Sequence, residues 1–229
     1  MRILLLGHGR MGRLVESLAP EYGGTIAGVI DEHSGDRAIA DGQFGDVDVA
    51  IDFTLADAVP GNLPQLAARK INVVIGTTGW QGQEATLREI ARNAGIGVLA
   101  ASNFSLGMNV FQLAVEEASR HFANHPEFGA WIHESHHVMK KDAPSGTALT
   151  IKSGMERAGY PRPIDVSSTR VGSVPGTHTV GFDGPSEPIE FTHTVRDRAV
   201  FARGALSAAK WLVGRVGWFS IRDLLADSR

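Results

Sequence analysis

The chain has 229 residues, of which 43% are hydrophobic and 21% are charged, enough to bury a sizeable core in one large domain or two modest ones. Its formal net charge of −3 provides no basic stripe, which argues against nucleic acid as an obligate partner. The absence of cysteine excludes disulfides, thiolate metal ligands and cysteine nucleophiles, and it fits a reducing compartment.

The apolar start of the chain, residues 1–6, predicts a strand. It is too short for the apolar core of a signal peptide, and a glycine-rich loop follows it directly. No apolar run approaches the length of a membrane-spanning helix. We therefore expect a cytoplasmic protein with no membrane partner.

The first hundred residues alternate short apolar runs with segments whose apolar residues recur every three to four positions. The apolar runs predict strands at 3–6, 25–31, 47–53, 73–75 and 97–100. The periodic segments between most of them, such as 10–22 and 81–94, predict helices. Strands and helices in alternation are typical of a parallel, doubly wound sheet.

A glycine motif follows the first predicted strand and opens the first predicted helix. There the glycines permit a tight turn and let the pyrophosphate of a dinucleotide approach the helix N-terminus. We predict cofactor contacts along the whole motif, which consists of Gly7, His8, Gly9, Arg10, Met11 and Gly12. The alternative interpretation is a glycine-rich turn that binds nothing.

Asp31 ends the second predicted strand, where a carboxylate accepts hydrogen bonds from the adenosine ribose hydroxyls. Glu32 follows it, and two adjacent carboxylates would repel a ribose 2′-phosphate. The sequence therefore predicts NADH as the preferred cofactor over NADPH, unless Arg10 or His33 compensates for the negative charge.

Two later loops follow the fourth and fifth predicted strands. Ligands of open α/β sheets bind beyond the carboxyl ends of the strands, so these loops are candidates for the nicotinamide end of the cofactor. The predicted contacts are Gly76, Thr77, Thr78, Ala101, Ser102, Asn103 and Phe104. The alternative is that both loops are connecting turns.

After Phe104 the pattern changes to α+β. Helices are predicted at 106–122 and 145–158, with an extended segment at 127–137 between them. Proline and glycine turns then separate three strand-like segments, at 166–172, 177–182 and 189–196, which indicate a largely antiparallel sheet. The tail is predicted to be helical at 204–213 and again at 219–225.

These elements predict a Rossmann-type α/β domain with an inserted α+β domain. The dinucleotide-binding domain is expected at residues 1–103 and is completed by residues 204–229. The inserted domain, residues 104–203, is expected to bind substrate and to mediate oligomerisation.

The segment 134–148 concentrates reactive side chains. His136, His137 and Lys140 can transfer protons or hold negative charge. Ser145 can cap the helix that follows, and the first N–H groups of that helix then favour a carboxylate. If the segment entering the motif is extended, the two adjacent histidines point to opposite faces and have different roles.

Other polar residues near this segment allow two interpretations. Arg170 attracts an anionic substrate or forms an outer salt bridge, and His178 faces the cleft or only supports it. We predict no metal site, because no carboxylate stands at ligand spacing from His133, His136 and His137.

Taken together, the motifs resemble the 4-hydroxy-tetrahydrodipicolinate reductase family, also called dihydrodipicolinate reductases, of bacterial lysine biosynthesis. The resemblance runs through nearly the whole chain, and the segment 134–148 is its most specific part. The motifs that carry it are Gly7-His-Gly-Arg-Met-Gly12, Gly76-Thr-Thr-Gly79, Asn103-Phe-Ser-Leu-Gly-Met-Asn109, the segment 134–148, Arg170-Val-Gly172 with Gly176-x-His178, and Phe201-Ala-x-Gly-Ala205.

The resemblance implies a reductase that uses NADH or NADPH to convert a cyclic dicarboxylate into tetrahydrodipicolinate, in the lysine and diaminopimelate pathway. It implies a homotetramer, and it makes His136 and Lys140 the catalytic residues that handle protons. The implied substrate-binding residues are His137, Ser145, Gly146 and Thr147.

The chain departs from the family pattern at three positions. Glu32 stands where many members have a basic residue, which favours NADH. Val138 and Met139 stand where polar or basic residues are common, which suggests a different substrate affinity or proton route.

Two other functions stay open from the sequence. One is another NAD-dependent amino-acid or imine dehydrogenase, and the other is a non-catalytic module that senses NADH. The reactive segment 134–148 argues against both, because neither function requires it.

Overall fold

The computed structural model describes residues 1–35 and 37–227, which form two compact units. The first unit comprises Met1–Leu106 and the residues from Ala199 onward, and the second comprises Gly107–Arg198. The predicted domain boundaries, 103/104 and 203/204, differ from these unit boundaries by a few residues.

The first unit contains a six-stranded sheet in which every pair of neighbouring strands is parallel. Its spatial order is β10-β5-β4-β3-β1-β2. The strands are β1 (Arg2–Leu6), β2 (Thr25–Ile30), β3 (Val49–Asp52), β4 (Asn72–Ile75), β5 (Gly97–Ala100) and β10 (Gly217–Phe219). The Rossmann-type α/β class predicted from the sequence is confirmed.

Helices cover both faces of this sheet. They are α1 (Arg10–Leu18), α2 (Ala38–Asp41), α3 (Val59–Ala68), α4 (Glu84–Ala94), α7 (Ala199–Leu212) and α8 (Ile221–Asp227). Because side chains alternate along a strand, Ile3 and Leu5 join the core formed with α1 and α7, whereas Leu4 and Leu6 join the core formed with α3 and α4. Both faces of β1 are therefore buried.

The strand order changes direction at β1. From β1 the chain passes to β2 on one side and then to β3 on the other, so that β1 and β3 are neighbours. Such a topological switch point opens a crevice beyond the carboxyl ends of the strands, where ligands of this class bind.

The second unit combines two helices with a four-stranded mixed sheet. The helices are α5 (Leu106–Phe122), which begins at the unit boundary, and α6 (Gly146–Arg157). The sheet has the order β7-β6-β8-β9, and its strands are β6 (Gly129–His136), β7 (Ile164–Arg170), β8 (Thr177–Asp183) and β9 (Pro188–Thr194). The pair β6–β7 is parallel and the other two pairs are antiparallel, in keeping with a largely antiparallel sheet.

One face of this mixed sheet carries the core of the second unit. Ile132, Val180 and Phe182 point to that face and pack with Val115 of α5 and Ile151 of α6. The other face is largely polar. It carries mainly Ser and Thr side chains, together with Trp131, His133 and the carboxylates of Asp165, Asp183 and Glu190.

The two helices predicted for the C-terminal tail are present with different bounds. The helix predicted at 204–213 is α7, which begins earlier, at Ala199, and ends at Leu212. Phe219 was assigned to a final helix, but Gly217–Phe219 form β10, which pairs with β5, and the helix begins at Ile221. Three residues are too few to show a periodicity, so only the pairing with β5 reveals this strand.

Within residues 1–35 and 37–227, no helix is both long enough and apolar enough to cross a membrane.

Candidate functional site

A cleft of about 900 Å³ lies in the first unit beyond the carboxyl ends of β1, β2 and β3. The loops that follow these three strands supply much of its lining, including Gly7, Gly9, Asp31, Phe53 and Thr54. The cleft therefore occupies the crevice expected at the topological switch point.

The glycine loop has the geometry that a bound pyrophosphate requires. Gly7 has a φ of +87°, and a Cβ added at Gly12 would lie 2.1 Å from the carbonyl oxygen of Gly7. Gly9 precedes α1, provides no side-chain cap, and has open space where a Cβ would stand. The first N–H groups of α1 are therefore accessible to an anion, and the residues present fit a dinucleotide.

Asp31 lies in the same cleft and is anchored by its own loop. Its Oδ1 accepts hydrogen bonds from the backbone N–H of His33 and from the Ser34 hydroxyl, both at 3.0 Å. These two hydrogen bonds lower the pKa of the Asp31 carboxyl. The carboxylate is therefore ionised at neutral pH, and Glu32, which also lines the cleft, adds negative charge.

Asp52 organises the loops at the ends of β3 and β4, a role that the sequence analysis missed. The side chain is 1% exposed, and its Oδ1 accepts hydrogen bonds from the Thr54 backbone N–H at 2.9 Å and from the Thr77 hydroxyl at 2.9 Å. Its Oδ2 accepts one from the Asn62 amide at 3.0 Å. An aspartate ending an apolar strand was the available sequence signal.

Residues of both later loops line a second cavity of the first unit, and none of them lines the cleft beside the glycine loop. Thr77, Ala101 and Ser102 line this cavity of about 380 Å³, beside Trp80 and Trp218. Thr78 is exposed, and the backbone of Gly76 lies against the ring of Phe53.

Four side chains named in the cofactor prediction line neither of these two cavities. Phe104 is 2% exposed and packs edge-on against Phe53 in the core, because the chain turns its ring inward after β5. Met11 also packs against that core, whereas Arg10 is exposed. Asn103 accepts a hydrogen bond from the Ser105 backbone N–H at 2.9 Å.

The second unit contains a buried polar cluster at the end of β6. Alternate residues of β6 are buried, so Glu134 and His136 extend the row begun by Ala130 and Ile132. Glu134 is fully buried and His136 is 7% exposed. The apolar face of this strand thus ends in a carboxylate and an imidazole.

Glu134 is fully engaged by hydrogen bonds. Its Oε1 accepts from Arg170 Nη2 at 2.8 Å and from the Ser145 backbone N–H at 3.3 Å, and its Oε2 pairs with His136 Nδ1. Burial alone would raise the pKa of Glu134, but the hydrogen bond from Arg170 and the neighbouring positive charges lower it to about 2. The residue is therefore an anion.

His136 experiences opposing effects. Burial lowers its pKa, the negative charge of Glu134 raises it, and the charges of Lys140 and Arg170 lower it again, with a net pKa below the ordinary value. The lowered pKa favours the neutral ring more than in an exposed histidine.

Lys140 and Asp142 form an ion pair in the loop after β6. Lys140 Nζ lies 2.8 Å from Oδ1 and 2.9 Å from Oδ2 of Asp142. Arg170 donates to the carbonyl oxygens of Lys140 and Asp142, at 3.2 Å and 2.5 Å, as well as to Glu134. Arg170 thus anchors this loop, and its salt bridge is made to a buried carboxylate rather than at the outer surface.

The start of α6 agrees only in part with the prediction. Ser145 caps the helix, since its Oγ accepts from the Ala148 backbone N–H at 3.2 Å, but the side chain is buried. The Gly146 N–H already donates to Asp142 Oδ2 at 3.3 Å. A carboxylate at this helix end would therefore have to displace Asp142 or use the neighbouring Thr147.

The remaining histidines have distinct environments. His137 follows the end of β6 and is half-buried. His133 lies on the sheet face opposite to Glu134 and His136, where it hydrogen-bonds Ser167 Oγ at 2.9 Å. His178 is buried, shares a hydrogen bond of 3.3 Å with Ser145 Oγ, and has its pKa lowered to about 4, mainly by burial.

Glu134, His136 and His178 are close enough to be considered as metal ligands. One ligand atom from each lies within 4.8 Å of the others. The carboxylate of Glu134 is already paired with the guanidinium of Arg170, so a cation at this cluster would compete with Arg170 for the same carboxylate.

Comparison with known proteins identifies the family. The model of the N-terminal part of dihydrodipicolinate reductase matches residues 1–104, and the model of its C-terminal part matches residues 107–225. Together they account for nearly the whole chain.

Curated relatives with this family's name match over nearly their whole length. A 4-hydroxy-tetrahydrodipicolinate reductase from Christiangramia forsetii is 35% identical over 238 residues, covering 99% of this chain and 98% of the relative. One from Xanthomonas axonopodis pv. citri is 39% identical over 240 residues, covering 98% of each chain.

Solved structures share the fold. Dipicolinate-bound dihydrodipicolinate reductase from Paenisporosarcina sp. TG-14 matches with a TM-score of 0.80 at 20% identity, covering 96% of this chain and 97% of its own. Aspartate dehydrogenase from Thermotoga maritima matches with a TM-score of 0.52 at 12% identity, covering 94% and 98%.

Proposed function

The chain belongs to the dihydrodipicolinate reductase family, and we propose that it reduces 4-hydroxy-tetrahydrodipicolinate to tetrahydrodipicolinate in lysine and diaminopimelate biosynthesis. It is a nicotinamide-dependent oxidoreductase. The observation that carries the proposal is the buried pair of Glu134 and His136 with Lys140 in the adjoining loop, in a chain whose first unit has a dinucleotide loop. This combination provides proton donors for a reduction.

The cofactor is held by the first unit. The uncapped N–H groups at the start of α1 bind the pyrophosphate, and the Asp31 carboxylate accepts hydrogen bonds from the ribose. When bound, the reduced nicotinamide supplies a hydride. The charges of Asp31 and Glu32 oppose a 2′-phosphate, so we propose NADH as the preferred cofactor, with NADPH accepted more weakly.

The substrate's two carboxylates are held by the second unit. The Lys140 ammonium offers positive charge, and the N-terminus of α6 offers the N–H of Thr147. His137 and the Gly146 N–H supply further donors, with Gly146 becoming available if Asp142 moves away. Ser145 contributes by capping the helix.

The reduction also needs a proton. Hydride addition to the conjugated ring leaves a centre that must be protonated, and His136 and Lys140 are the proposed donors. Desolvation keeps the pKa of His136 below its ordinary value, so the ring gives up a proton more readily than an exposed histidine does.

We also propose a cytoplasmic homotetramer. The lack of cysteine supports a reducing compartment. The polar face of the mixed sheet, with Thr179, Thr192 and His133, offers hydrogen-bonding groups to a second copy of the chain.

The test is NADH and NADPH oxidation by the purified protein, with substrate generated in the cuvette from pyruvate and aspartate semialdehyde by a dihydrodipicolinate synthase. We expect oxidation that depends on the synthase. His136→Gln and Lys140→Ala should each lower kcat by at least about 10²-fold, because each removes a proton donor. The Kd of NADH should stay unchanged, since the proposed cofactor residues belong to the first unit.

Lys141→Ala is the matched control, because Lys141 is exposed beside Lys140 and has no proposed role. Full activity in His136→Gln and Lys140→Ala would contradict the catalytic assignment. Cofactor binding without oxidation in the wild-type protein would favour the sensing module, and oxidation with an amino acid or another imine would favour a different dehydrogenase.

A further inference from the structure

We propose that Glu134 is a positioning residue that fixes the tautomer and orientation of His136 and sustains its protonated form during turnover. This inference rests on the proposed function of His136 as a proton donor. It concerns a residue that itself makes no contact with the reacting atoms.

The Glu134 carboxylate is held in one orientation by its hydrogen bonds. Glu134 is fully buried, and both of its oxygens are engaged by groups on three different segments: Arg170 on β7, the Ser145 backbone before α6, and His136 at the end of its own strand. A buried carboxylate held this way cannot turn toward water. It offers His136 a fixed acceptor.

The fixed carboxylate determines which nitrogen of the His136 imidazole carries a proton. Nδ1 of His136 faces the anion Glu134 and therefore carries a proton. Within residues 1–35 and 37–227, the hydrogen bond of the His136 ring is made by Nδ1, which leaves Nε2 to exchange a proton with a substrate. Glu134 thus selects which nitrogen reacts.

A glycine keeps this nitrogen accessible. Gly176, at a φ of +152°, lies beside His136, and a Cβ added there would stand 3.1 Å from Nε2. A larger residue would crowd the nitrogen that Glu134 leaves free. The same site thus positions one ring nitrogen and leaves room around the other.

Four titratable groups determine the charge around the His136 ring. The titratable groups that face His136 are Glu134 on β6, Lys140 in the following loop, Arg170 on β7 and His178 on β8. Glu134 is the one anion among these four, and its charge alone favours the imidazolium. When His136 gives its Nε2 proton to the substrate, Glu134 remains ionised and the Nδ1 proton stays in place.

The first measurement uses the wild-type full-length protein without substrate. Histidine-selective ¹⁵N labelling and long-range ¹H–¹⁵N spectra, assigned with His136→Gln, report the tautomer and the titration of His136. We expect the neutral ring to carry its proton on Nδ1. A neutral ring protonated on Nε2 would overturn the proposal whether or not the protein proves to be a reductase.

The second measurement compares Glu134→Gln, which keeps the shape but removes the charge. The titration midpoint of His136 should fall by about one pH unit or more, because the opposite charge is lost. In the coupled assay kcat should fall about 10²-fold with little change in KM, and the limb of the pH–kcat profile that reports protonated His136 should move to lower pH. A purely structural role would leave that limb in place.

Glu190→Gln is the matched control, since Glu190 is exposed on β9 of the same sheet. It should alter neither the titration of His136 nor the pH profile. If Glu134→Gln does not fold, Glu134→Asp keeps the charge and should retain a higher His136 midpoint than any neutral replacement, while its shorter reach lowers kcat. An unchanged His136 midpoint in a folded Glu134→Gln protein sinks the inference, whereas a shifted midpoint without reductase activity would refute only the proposed function.

Discussion

At the scale of single residues, two side chains are each fixed by several hydrogen bonds. Asp52 and Glu134 are both buried carboxylates, and each accepts hydrogen bonds from separate segments. Burying a charge is costly unless it is paired and fully hydrogen-bonded. These two residues meet that condition, and each thereby fixes the loops next to it.

Asp31 supports a prediction about cofactor choice. Replacing it in Asp31→Ala removes an ionised acceptor for the ribose hydroxyls, so the Kd of NADH should rise about tenfold. The Kd of NADPH should rise less, because repulsion of its phosphate is relieved at the same time. Titration of nicotinamide fluorescence gives both constants.

The control for this experiment is Asp183→Ala, which removes an exposed carboxylate at the end of β8 in the other unit. An Asp31→Ala variant that binds NADH as tightly as the wild type would show that this carboxylate does not hold the ribose.

His178 supports a prediction about pH and stability. Burial holds its folded-state pKa at about 4, against about 6.5 when unfolded, so the unfolded chain binds the extra proton between these values. Stability contributed by neutral His178 is therefore present above pH 6.5 and is lost as the pH falls toward 4. His178→Gln should flatten this decline by up to about 1.4 kcal/mol per pH unit.

Denaturant unfolding of both proteins from pH 7 to pH 4 measures the effect. His121→Gln is the control, because His121 is exposed on α5. Parallel pH dependences in the wild type and His178→Gln would contradict the assigned burial effect.

At the scale of elements, side-chain alternation along β6 explains much of the site. The strand is long enough for four of its residues to face the core, and the last two of these are polar. The strand therefore supplies both packing and chemistry from one face. Because Arg170 is the register partner of His136 on β7, sheet pairing also places the third member of the cluster.

The turn between β1 and α1 supports an element-scale prediction. In Gly12→Ala the added Cβ would clash with the Gly7 carbonyl, 2.1 Å away, and force the helix away from the strand. We expect the Kd of NADH to rise at least tenfold and the free energy of unfolding to fall by about 1–3 kcal/mol. Nicotinamide fluorescence and denaturant unfolding measure these effects.

Gly82→Ala serves as the comparison, since a Cβ at Gly82 meets nothing within 4 Å. If Gly12→Ala binds NADH and unfolds as the wild type does, the turn does not need the close approach that the structure contains.

At the scale of the whole molecule, the mixed sheet of the second unit has one face packed in the core and one polar face. On the polar face, hydroxyl pairs join β8 to β9, with Thr177 and Thr194 at 3.1 Å and Thr179 and Thr192 at 3.0 Å. A face of this kind, repeated by symmetry, can form an interface between identical subunits.

Light scattering after size-exclusion chromatography tests the proposed assembly. The wild-type protein should have four times the chain mass of 24.5 kDa. Thr192→Glu should give a smaller species, because symmetry would bring like charges together at the interface. Thr86→Glu, on the exposed surface of α4, is the control and should keep the wild-type mass. A monomeric wild type would contradict the tetramer.

The class of the fold and the family follow from the sequence alone. Apolar runs bounded by turns defined β1 to β5, and the segment Leu106–Phe122 was predicted with its observed bounds, because periodicity is a local property that each segment carries alone. The glycine motif and the segment 134–148 identified the chemistry for the same reason, since their residues are adjacent in the chain.

The residues that hold the site together are apparent from the tertiary structure and not from the sequence. Arg170 and Ser145 are distant from Glu134 in sequence, but both donate hydrogen bonds to its carboxylate. Asp52 likewise accepts hydrogen bonds from Thr54 and Thr77, which follow two different strands. Strand β10 and the inward turn of Phe104 likewise depend on neighbours elsewhere in the chain. Long-range pairing and burial leave no local pattern, so these contacts required the folded structure.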